Sequence, residues 1–151
     1  FFDDMGFKGR PFMSPAMYRE LIFPAHKKTF DFAHAHGLPV ILHSCGFVEP
    51  LLPDLVEAGI DALQAIEIKA GMDLLRIYER FGDRIALMGG LDVRPIAAND
   101  RAGIRRELEA KIPIVRRKNG FILHSDHSIP ESTDYETYRY FLDLGRRLGT
   151  Y

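Results

Sequence analysis

Two side chains that commonly bind metal ions stand two positions apart in the segment "VILHSCG". His43 and Cys45, the only cysteine of the sequence, come directly after a short apolar run. In a strand, residues i and i+2 point to the same side, so both side chains can approach one ion. Zinc binds imidazole nitrogen and thiolate sulfur, which makes a zinc site one interpretation of this spacing. The alternative is a buried cysteine that packs as a small hydrophobe beside a hydrogen-bonded histidine.

A catalytic zinc takes three protein ligands and leaves one position open, so a third ligand must come from another part of the chain. His127 is the first candidate, because it follows the last apolar segment of the sequence. Glu67 and Asp92 are the alternatives, and the simpler interpretation of Glu67 is an ion pair with Lys69.

Further polar or special residues follow the other apolar segments and are candidates for contact with a substrate. Asp3 and Asp4, in "FFDDMG", can bind a substrate hydroxyl or amine or act as a base, or they can simply stabilise a turn. Gln64 ends an apolar segment, and His124 is a candidate substrate ligand or proton donor. Gly90 would let the backbone pass close to a ligand.

Short apolar segments alternate along the chain with segments of helical periodicity. The apolar segments are "LPVIL", "IDALQAI", "RIALMGG" and "GFILHSD", and "FFDDMG" is interpreted as the end of a further strand. Continuously apolar strands separated by helices predict a parallel sheet covered on both faces. In such folds the functional site lies at the carboxyl ends of the strands, where the candidate residues above are found.

Two of the predicted helices contain proline. The helix over residues 16–35 should be kinked or split by Pro24. His26 and His34 on this helix, and His36 at its end, are expected to be solvated. A second helix is predicted from about Asn99 to Lys118, with an interruption by a proline near its end.

Composition limits the classes of protein to which the chain can belong. It has 151 residues, 46% hydrophobic and 27% charged, which we interpret as one domain over residues 1–151. A formal net charge of −1 offers no bulk attraction to nucleic acid or to an anionic membrane surface. No apolar run approaches the roughly 20 residues of a membrane span. A single cysteine excludes an intrachain disulfide and fits the cytoplasm.

Two α/β architectures agree with this pattern of elements. An open doubly wound sheet could be complete at this length, whereas a (β/α)8 barrel would need about 250 residues. In the second case the chain would be the C-terminal half of a barrel, with about four parallel strands alternating with helices. The start of the sequence inside a strand favours the half barrel.

Several segments together resemble the uroporphyrinogen decarboxylase superfamily over essentially the whole chain. They are "DDMG", "SPAMYRELIFPAHKK", "PVILHSCG", "LLPDLVEAGIDALQ", "GDRIALMGGLD" and "GFILHSDHSIP". The resemblance implies a single (β/α)8 barrel, of which this chain would be roughly the C-terminal half. A half barrel exposes two sheet edges, so we expect the isolated chain to form a homodimer or to fold poorly.

The resemblance implies one of two enzymatic activities. One branch of the superfamily decarboxylates uroporphyrinogen III without a cofactor, and the other consists of zinc-dependent methyltransferases that use a corrinoid protein as partner. The methyltransferases carry a histidine–x–cysteine pair where this sequence has His43 and Cys45. His127 falls where the methyltransferases carry a cysteine and the decarboxylases a substrate-contacting histidine, so it does not separate the two branches.

We therefore expect a methyltransferase that moves a methyl group between a corrinoid protein and a thiol or similar small-molecule acceptor. Zinc would be held by His43, Cys45 and His127, with Glu67 as a fourth, displaceable ligand, while Asp4 and Asp92 shape the acceptor site. The first alternative is a metal-free uroporphyrinogen III decarboxylase, in which His127 and Asp4 contact the tetrapyrrole. The second alternative is a non-catalytic module that binds a corrinoid or a tetrapyrrole.

Overall fold

The computed structural model describes residues 1–118 and 120–150, which form six short strands and seven α-helices. The strands are β1 (Gly6–Phe7), β2 (Arg10–Pro11), β3 (Ile41–Ser44), β4 (Ala62–Ala65), β5 (Ala86–Gly89) and β6 (Phe121–Ile122). The helices are α1 (Pro15–Leu21), α2 (Phe23–Ala35), α3 (Leu52–Ala58), α4 (Leu74–Phe81), α5 (Val93–Ala97), α6 (Arg101–Val115) and α7 (Tyr135–Gly149). None of the helices in these two ranges has the length and apolarity to cross a membrane.

Strands β3, β4, β5 and β6 form one parallel sheet, in which they lie side by side in the order of the chain. This arrangement confirms the predicted α/β fold with parallel strands alternating with helices. The first residues of the chain lie beside β3 in the same direction: the His43 N–H donates to the Phe1 carbonyl, and the Asp3 N–H donates to the His43 carbonyl. The segment "FFDDMG" therefore begins as an extended segment paired with the sheet, as its sequence indicates.

The two faces of the sheet have different environments. Leu42, Leu63 and Leu87 point to one face and are buried in the core that the sheet forms with the helices. His43 and Met88 point to the other face, which lines a cavity with no lining residue from any described helix. An inner face that no described helix covers agrees with the half barrel that the sequence favours and not with an open sheet covered on both faces. Helices on one face only agree with part of a (β/α)8 barrel, in which helices surround the sheet and the site lies at the carboxyl ends of the strands.

The effect of each helical proline depends on its position in the helix. Pro24 is the second residue of α2, so the chain ends α1 at Leu21 and starts a new helix at Phe23, as predicted. Pro113 lies inside α6 without interrupting it, contrary to the prediction. It sits in the last turn, where the absence of one N–H donor removes a single hydrogen bond near an end that frays readily.

The hairpin of β1 and β2 was not predicted from the sequence, and it is fixed next to the carboxyl end of β3. The Phe47 N–H donates to the Phe7 carbonyl, and the Gly9 N–H donates to the Ala70 carbonyl. Gly46 has a φ of +81°, and a Cβ at this position would lie 2.2 Å from the carbonyl carbon of Gly6. The hairpin and the loop after β3 can approach this closely only because both residues are glycine.

Candidate functional site

A cavity of about 550 Å³ lies on the inner face of the sheet, at the carboxyl ends of the strands. Five of the residues selected from the sequence line it, namely His43, Cys45, Gln64, His124 and His127. The remaining lining is mainly apolar, from side chains such as Phe2 and Met88. The architecture therefore brings together candidate residues from β3, β4 and the segment after β6, as the sequence indicated.

The closest group of metal-binding side chains consists of Asp4, His43 and Cys45. Their potential ligand atoms all lie within 4.8 Å of one another. The Nε2 atom of His43 is 3.3 Å from the Sγ atom of Cys45 and 3.3 Å from the Oδ1 atom of Asp4. The same Asp4 oxygen accepts a hydrogen bond from the Cys45 N–H at 2.8 Å.

The arrangement of β3 and the initial extended segment explains this convergence. His43 and Cys45 are two positions apart at the end of β3, so their side chains share the inner side of the sheet. The initial segment runs beside β3, and its alternation directs Asp4 towards the same side. The Oγ atom of Ser44 accepts a hydrogen bond from the Met5 N–H at 3.0 Å, which holds the end of this segment against β3.

Gln64 sets the orientation of the His43 ring. The two residues are opposite each other in the register of β3 and β4, and the Nδ1 atom of His43 is hydrogen-bonded to the Oε1 atom of Gln64. When Nδ1 donates its proton to this amide oxygen, the lone pair of Nε2 faces Cys45 and Asp4. A hydrogen bond that fixes the tautomer of a histidine ligand in this way is common at metal sites.

The three donor atoms fit zinc in their chemistry. Imidazole nitrogen, thiolate sulfur and carboxylate oxygen are the ligand types that proteins use for this ion. Burial raises the pKa of the Cys45 thiol, and the neighbouring carboxylates of Asp4 and Glu67 raise it further. A bound cation reverses this effect, because it favours the thiolate form of a cysteine that coordinates it.

His127 and Glu67, both predicted as zinc ligands, are outside this group. Among the residues that the structure describes, Asp4 joins His43 and Cys45 where the sequence suggested His127. His127 is exposed and lines the cavity. The Oε2 atom of Glu67 accepts a hydrogen bond from the Gly46 N–H at 2.8 Å, and its other oxygen is 3.8 Å from the Lys69 ammonium. Metal binding by His127 or Glu67 stays a prediction.

Three other candidate residues have local structural partners. Asp92 caps α5 and forms an ion pair with Arg94, at 2.6 Å between Nη2 and Oδ2, and it is not among the residues that line the cavity. Gly90 is buried, and a Cβ at this position would lie 2.9 Å from the Cβ atom of Leu74, so packing alone explains the glycine. The Nδ1 atom of His124 is hydrogen-bonded to the Ser125 carbonyl. The catalytic role of Asp92 and the substrate-binding roles of Gly90 and His124 stay predictions.

Asp3 faces away from the cavity, because successive residues of an extended segment point to opposite sides. Its Oδ2 atom is 3.0 Å from the Nε2 atom of His26 in α2. His26 is therefore not the solvated helix residue that the sequence suggested: its side chain is 14% exposed and its Nδ1 atom is 2.9 Å from the hydroxyl of Tyr18. The predicted contact of Asp3 with a substrate is not tested by this geometry.

Asp126, which the sequence suggests only as a partner that orients a neighbouring histidine ring, has a different part in the structure. It is fully buried, and its two carboxylate oxygens accept hydrogen bonds from the N–H groups of Ile68 and Val93, each at 2.9 Å. Burial raises its pKa, and these two hydrogen bonds oppose that rise. Asp126 thus joins the segments that follow β4, β5 and β6. From the sequence, His124 and His127 are the more usual candidates for a functional role than the aspartate between them.

The sequence is similar to known proteins over most of its length. The chain matches the family model for uroporphyrinogen decarboxylase (URO-D) over residues 2–148. A uroporphyrinogen decarboxylase of Streptomyces coelicolor is 29% identical over 122 residues, which cover 81% of this chain and 33% of that protein. A uroporphyrinogen decarboxylase of Thermus thermophilus is 30% identical over 135 residues, which cover 87% of this chain and 37% of that protein.

The chain spans about a third of the length of these curated relatives. The family match nevertheless extends over almost every residue of the chain, and the parallel β/α units agree with part of a barrel. The chain belongs to the uroporphyrinogen decarboxylase family.

Proposed function

We propose that the protein is a zinc-dependent methyltransferase of this family, which moves a methyl group between a corrinoid protein and a thiol or similar acceptor. The observation that supports it is the convergence of Asp4, His43 and Cys45 within 4.8 Å at the cavity. The relatives named above are decarboxylases, so the proposed methyl transfer differs from the reaction that their names give.

The chain's own residues have distinct tasks in this proposal. His43 would bind the metal through Nε2, because Nδ1 is engaged by Gln64. Cys45 would bind as the thiolate, and Asp4, fixed by the Cys45 N–H, would supply the third ligand. When bound, zinc supplies the positive charge that keeps an acceptor thiol deprotonated near neutral pH. The apolar walls of the cavity would exclude water from that thiol, and His127 would contact the acceptor.

Metal analysis of the purified intact protein tests the proposal directly. We expect about one zinc per chain in the wild type and a loss of most of it in Cys45→Ala and Asp4→Ala. His127→Ala should keep its zinc, because Asp4 completes the set of three. His34→Gln, a change on the outer side of α2, serves as a control that should also keep zinc. A wild type without zinc, or a Cys45→Ala variant with unchanged zinc, contradicts the proposal.

A metal-free uroporphyrinogen decarboxylase is the second candidate, and the names of the relatives favour it. In that case the cavity would hold the tetrapyrrole, with His127 and Asp4 in contact with its carboxylates or pyrrole nitrogens. Assay of uroporphyrinogen decarboxylation in the presence of a strong chelator separates the two candidates. Activity that survives the chelator supports the decarboxylase, whereas chelator-sensitive methyl transfer to a thiol supports the methyltransferase.

The proposal includes two features of the cellular setting. A methyl-corrinoid would be presented at the open cavity by a partner protein, as the resemblance to the corrinoid-linked methyltransferases implies. We also propose a cytoplasmic location, since the single cysteine must stay reduced to bind zinc. Co-purification of a corrinoid protein with the tagged intact protein would support the first feature, and its absence under methyl-transfer conditions would count against it.

A further inference from the structure

We propose that His26, supported by Tyr18, is a positioning residue that holds the Asp4 carboxylate in place through Asp3. The inference deepens the proposed function, on which its meaning for metal binding rests. It concerns three side chains that lie behind the initial extended segment, outside the cavity and outside the group of candidate ligands.

The three side chains form a continuous chain of hydrogen bonds. The hydroxyl of Tyr18 is 2.9 Å from the Nδ1 atom of His26, and the Nε2 atom of His26 is 3.0 Å from the Oδ2 atom of Asp3. Tyr18 is fully buried, and burial raises the pKa of its phenol, so the hydroxyl keeps its proton and donates it to Nδ1. Nε2 then carries the proton of the ring and donates to the Asp3 carboxylate.

Packing keeps the His26 ring in this orientation. The ring stacks on Phe30, with 5.0 Å between centroids and 23° between planes. Phe30 is itself fully buried and contacts the ring of Phe1 at 5.3 Å. The imidazole is thus held on both of its nitrogens and on one face, which makes it a rigid support for Asp3.

Asp3 transmits this support to Asp4 because the two residues are neighbours in an extended segment. Asp3 points to α2, and Asp4 points to His43 and Cys45 on the opposite side. The Asp4 side chain is 59% exposed, and its only hydrogen bond among the described residues comes from the Cys45 N–H. The side chain is also 3.3 Å from the Nε2 atom of His43, and the backbone that carries it is held on both sides of Asp4. The Met5 N–H donates to Ser44 on one side, and the Asp3 N–H bond to the His43 carbonyl and the Asp3–His26 contact hold the other.

The same helix contains a similar histidine–aspartate contact that has no connection with the site. The Nε2 atom of His34 is 2.8 Å from the Oδ2 atom of Asp61, which precedes β4 and so lies at the opposite end of the sheet. A substitution of His34 removes the same kind of interaction from the same helix. It is therefore a matched control for the general cost of losing such a contact.

Two substitutions of His26 separate its bond to Asp3 from its bond to Tyr18. The side-chain nitrogen of glutamine occupies about the place of Nε2, so His26→Gln keeps a donor for Asp3. Asparagine mimics Nδ1 instead, so His26→Asn keeps a partner for Tyr18 and loses the donor. Both variants lose the imidazole and its stacking on Phe30, so the direction of the difference shows which bond matters. Weaker zinc binding in His26→Asn than in His26→Gln indicates the bond to Asp3, and the reverse order indicates the bond to Tyr18.

The experiment measures two quantities in the intact protein. The first is the zinc dissociation constant, obtained by competition with a chromophoric chelator. The second is the amide chemical shift of Cys45 in zinc-free protein labelled with 15N-cysteine, since this N–H donates to Asp4. We expect His26→Asn to weaken zinc binding about tenfold and to move the Cys45 resonance, with His26→Gln within about threefold of the wild type. His34→Asn should change neither quantity.

Asp3→Ala is a second route to the same result, because Asp3 is partly exposed and the substitution need not disturb the core. It should weaken zinc binding as much as His26→Asn does, and the double variant should lose no more, because both changes break one bond. Unchanged zinc affinity and an unchanged Cys45 resonance in His26→Asn and Asp3→Ala overturn the inference. A wild type that binds no zinc refutes the proposed function instead, and the Cys45 resonance still decides whether His26 positions Asp4.

Discussion

The buried carboxylate of Asp126 gives a prediction whose size follows from the structure. Asp126 accepts one hydrogen bond from the Ile68 N–H and one from the Val93 N–H, and so joins the segments that follow three adjacent strands. Asp126→Ala removes both acceptors, whereas Asp126→Asn keeps one oxygen and presents an NH2 group to the other donor. We expect both substitutions to lower the free energy of unfolding, and alanine to lower it more.

The magnitude follows from the number of donors left without a partner. A buried donor without a partner costs about 1–3 kcal/mol, so the two N–H groups in Asp126→Ala cost at most about 2–6 kcal/mol together, and less where water reaches the partly buried Ile68 N–H. Removal of a buried charge, whose pKa burial raises, recovers part of this cost. We therefore expect a net loss of about 2–4 kcal/mol for Asp126→Ala and about 1–2 kcal/mol for Asp126→Asn.

Urea unfolding of the intact protein, followed by circular dichroism, measures these losses. Asp73→Ala is a suitable comparison, because Asp73 caps α4 with a single hydrogen bond to the Arg76 N–H and is half exposed. Loss of such a cap should cost about 1 kcal/mol. An Asp126→Ala variant within about 0.5 kcal/mol of the wild type would show that water replaces the carboxylate and that the reasoning is wrong.

Three further outcomes are expected. Hydrogen bonds from Arg76 lower the pKa of Glu49 in the folded state. Ionised Glu49 therefore stabilises the fold above its unfolded pKa of about 4.3, and this stabilisation is lost as the pH falls through the lower pKa of the folded state. In Glu49→Gln the melting temperature should depend less on pH in that acid range. Gly46→Ala should lower the free energy of unfolding, measured in urea, by more than about 3 kcal/mol, because the new Cβ would overlap the Gly6 backbone. Gly37→Ala should lower it by about 1 kcal/mol, because a Cβ at Gly37 would meet no described atom beyond its chain neighbours within 4 Å. Sedimentation of the isolated chain should show dimers or larger species, and a stable monomer would contradict the expected edge pairing.

The central sheet was predictable because its strands are short, apolar and separated by helical segments. "IDALQAI" contains β4, Ala62–Ala65, and "RIALMGG" contains β5, Ala86–Gly89. The hairpin of β1 and β2 was not predictable in the same way. Its strands have two residues each, and bonds to Phe47 and Ala70 hold it in place. These partners are distant in sequence, so no local pattern of apolar residues reveals them.

The site was predictable where it depends on spacing within one strand. His43 and Cys45 share a side of β3 because they are two residues apart, and this follows from strand geometry alone. The addition of Asp4 depends on which segment pairs with β3 and in which register, and neither is encoded in local spacing. The contact of His26 with Asp3 was not predictable either, since the periodicity of α2 does not indicate which segment packs against His26.

The candidate ligands come from two adjacent extended segments, and this couples metal binding to the pairing of those segments. Asp4 belongs to the initial segment, whereas His43 and Cys45 belong to β3 and its end. An ion bound by all three would favour the paired state over a state in which the initial segment has separated from β3. At a free metal concentration one hundred times the dissociation constant, this preference amounts to at most about 2.7 kcal/mol, since His43 and Cys45 stay together in the separated state. The coupling is reciprocal, because the factor by which the metal favours the paired state equals the factor by which pairing raises the metal affinity. A change that separates the initial segment from β3 in a large fraction of molecules therefore weakens metal binding.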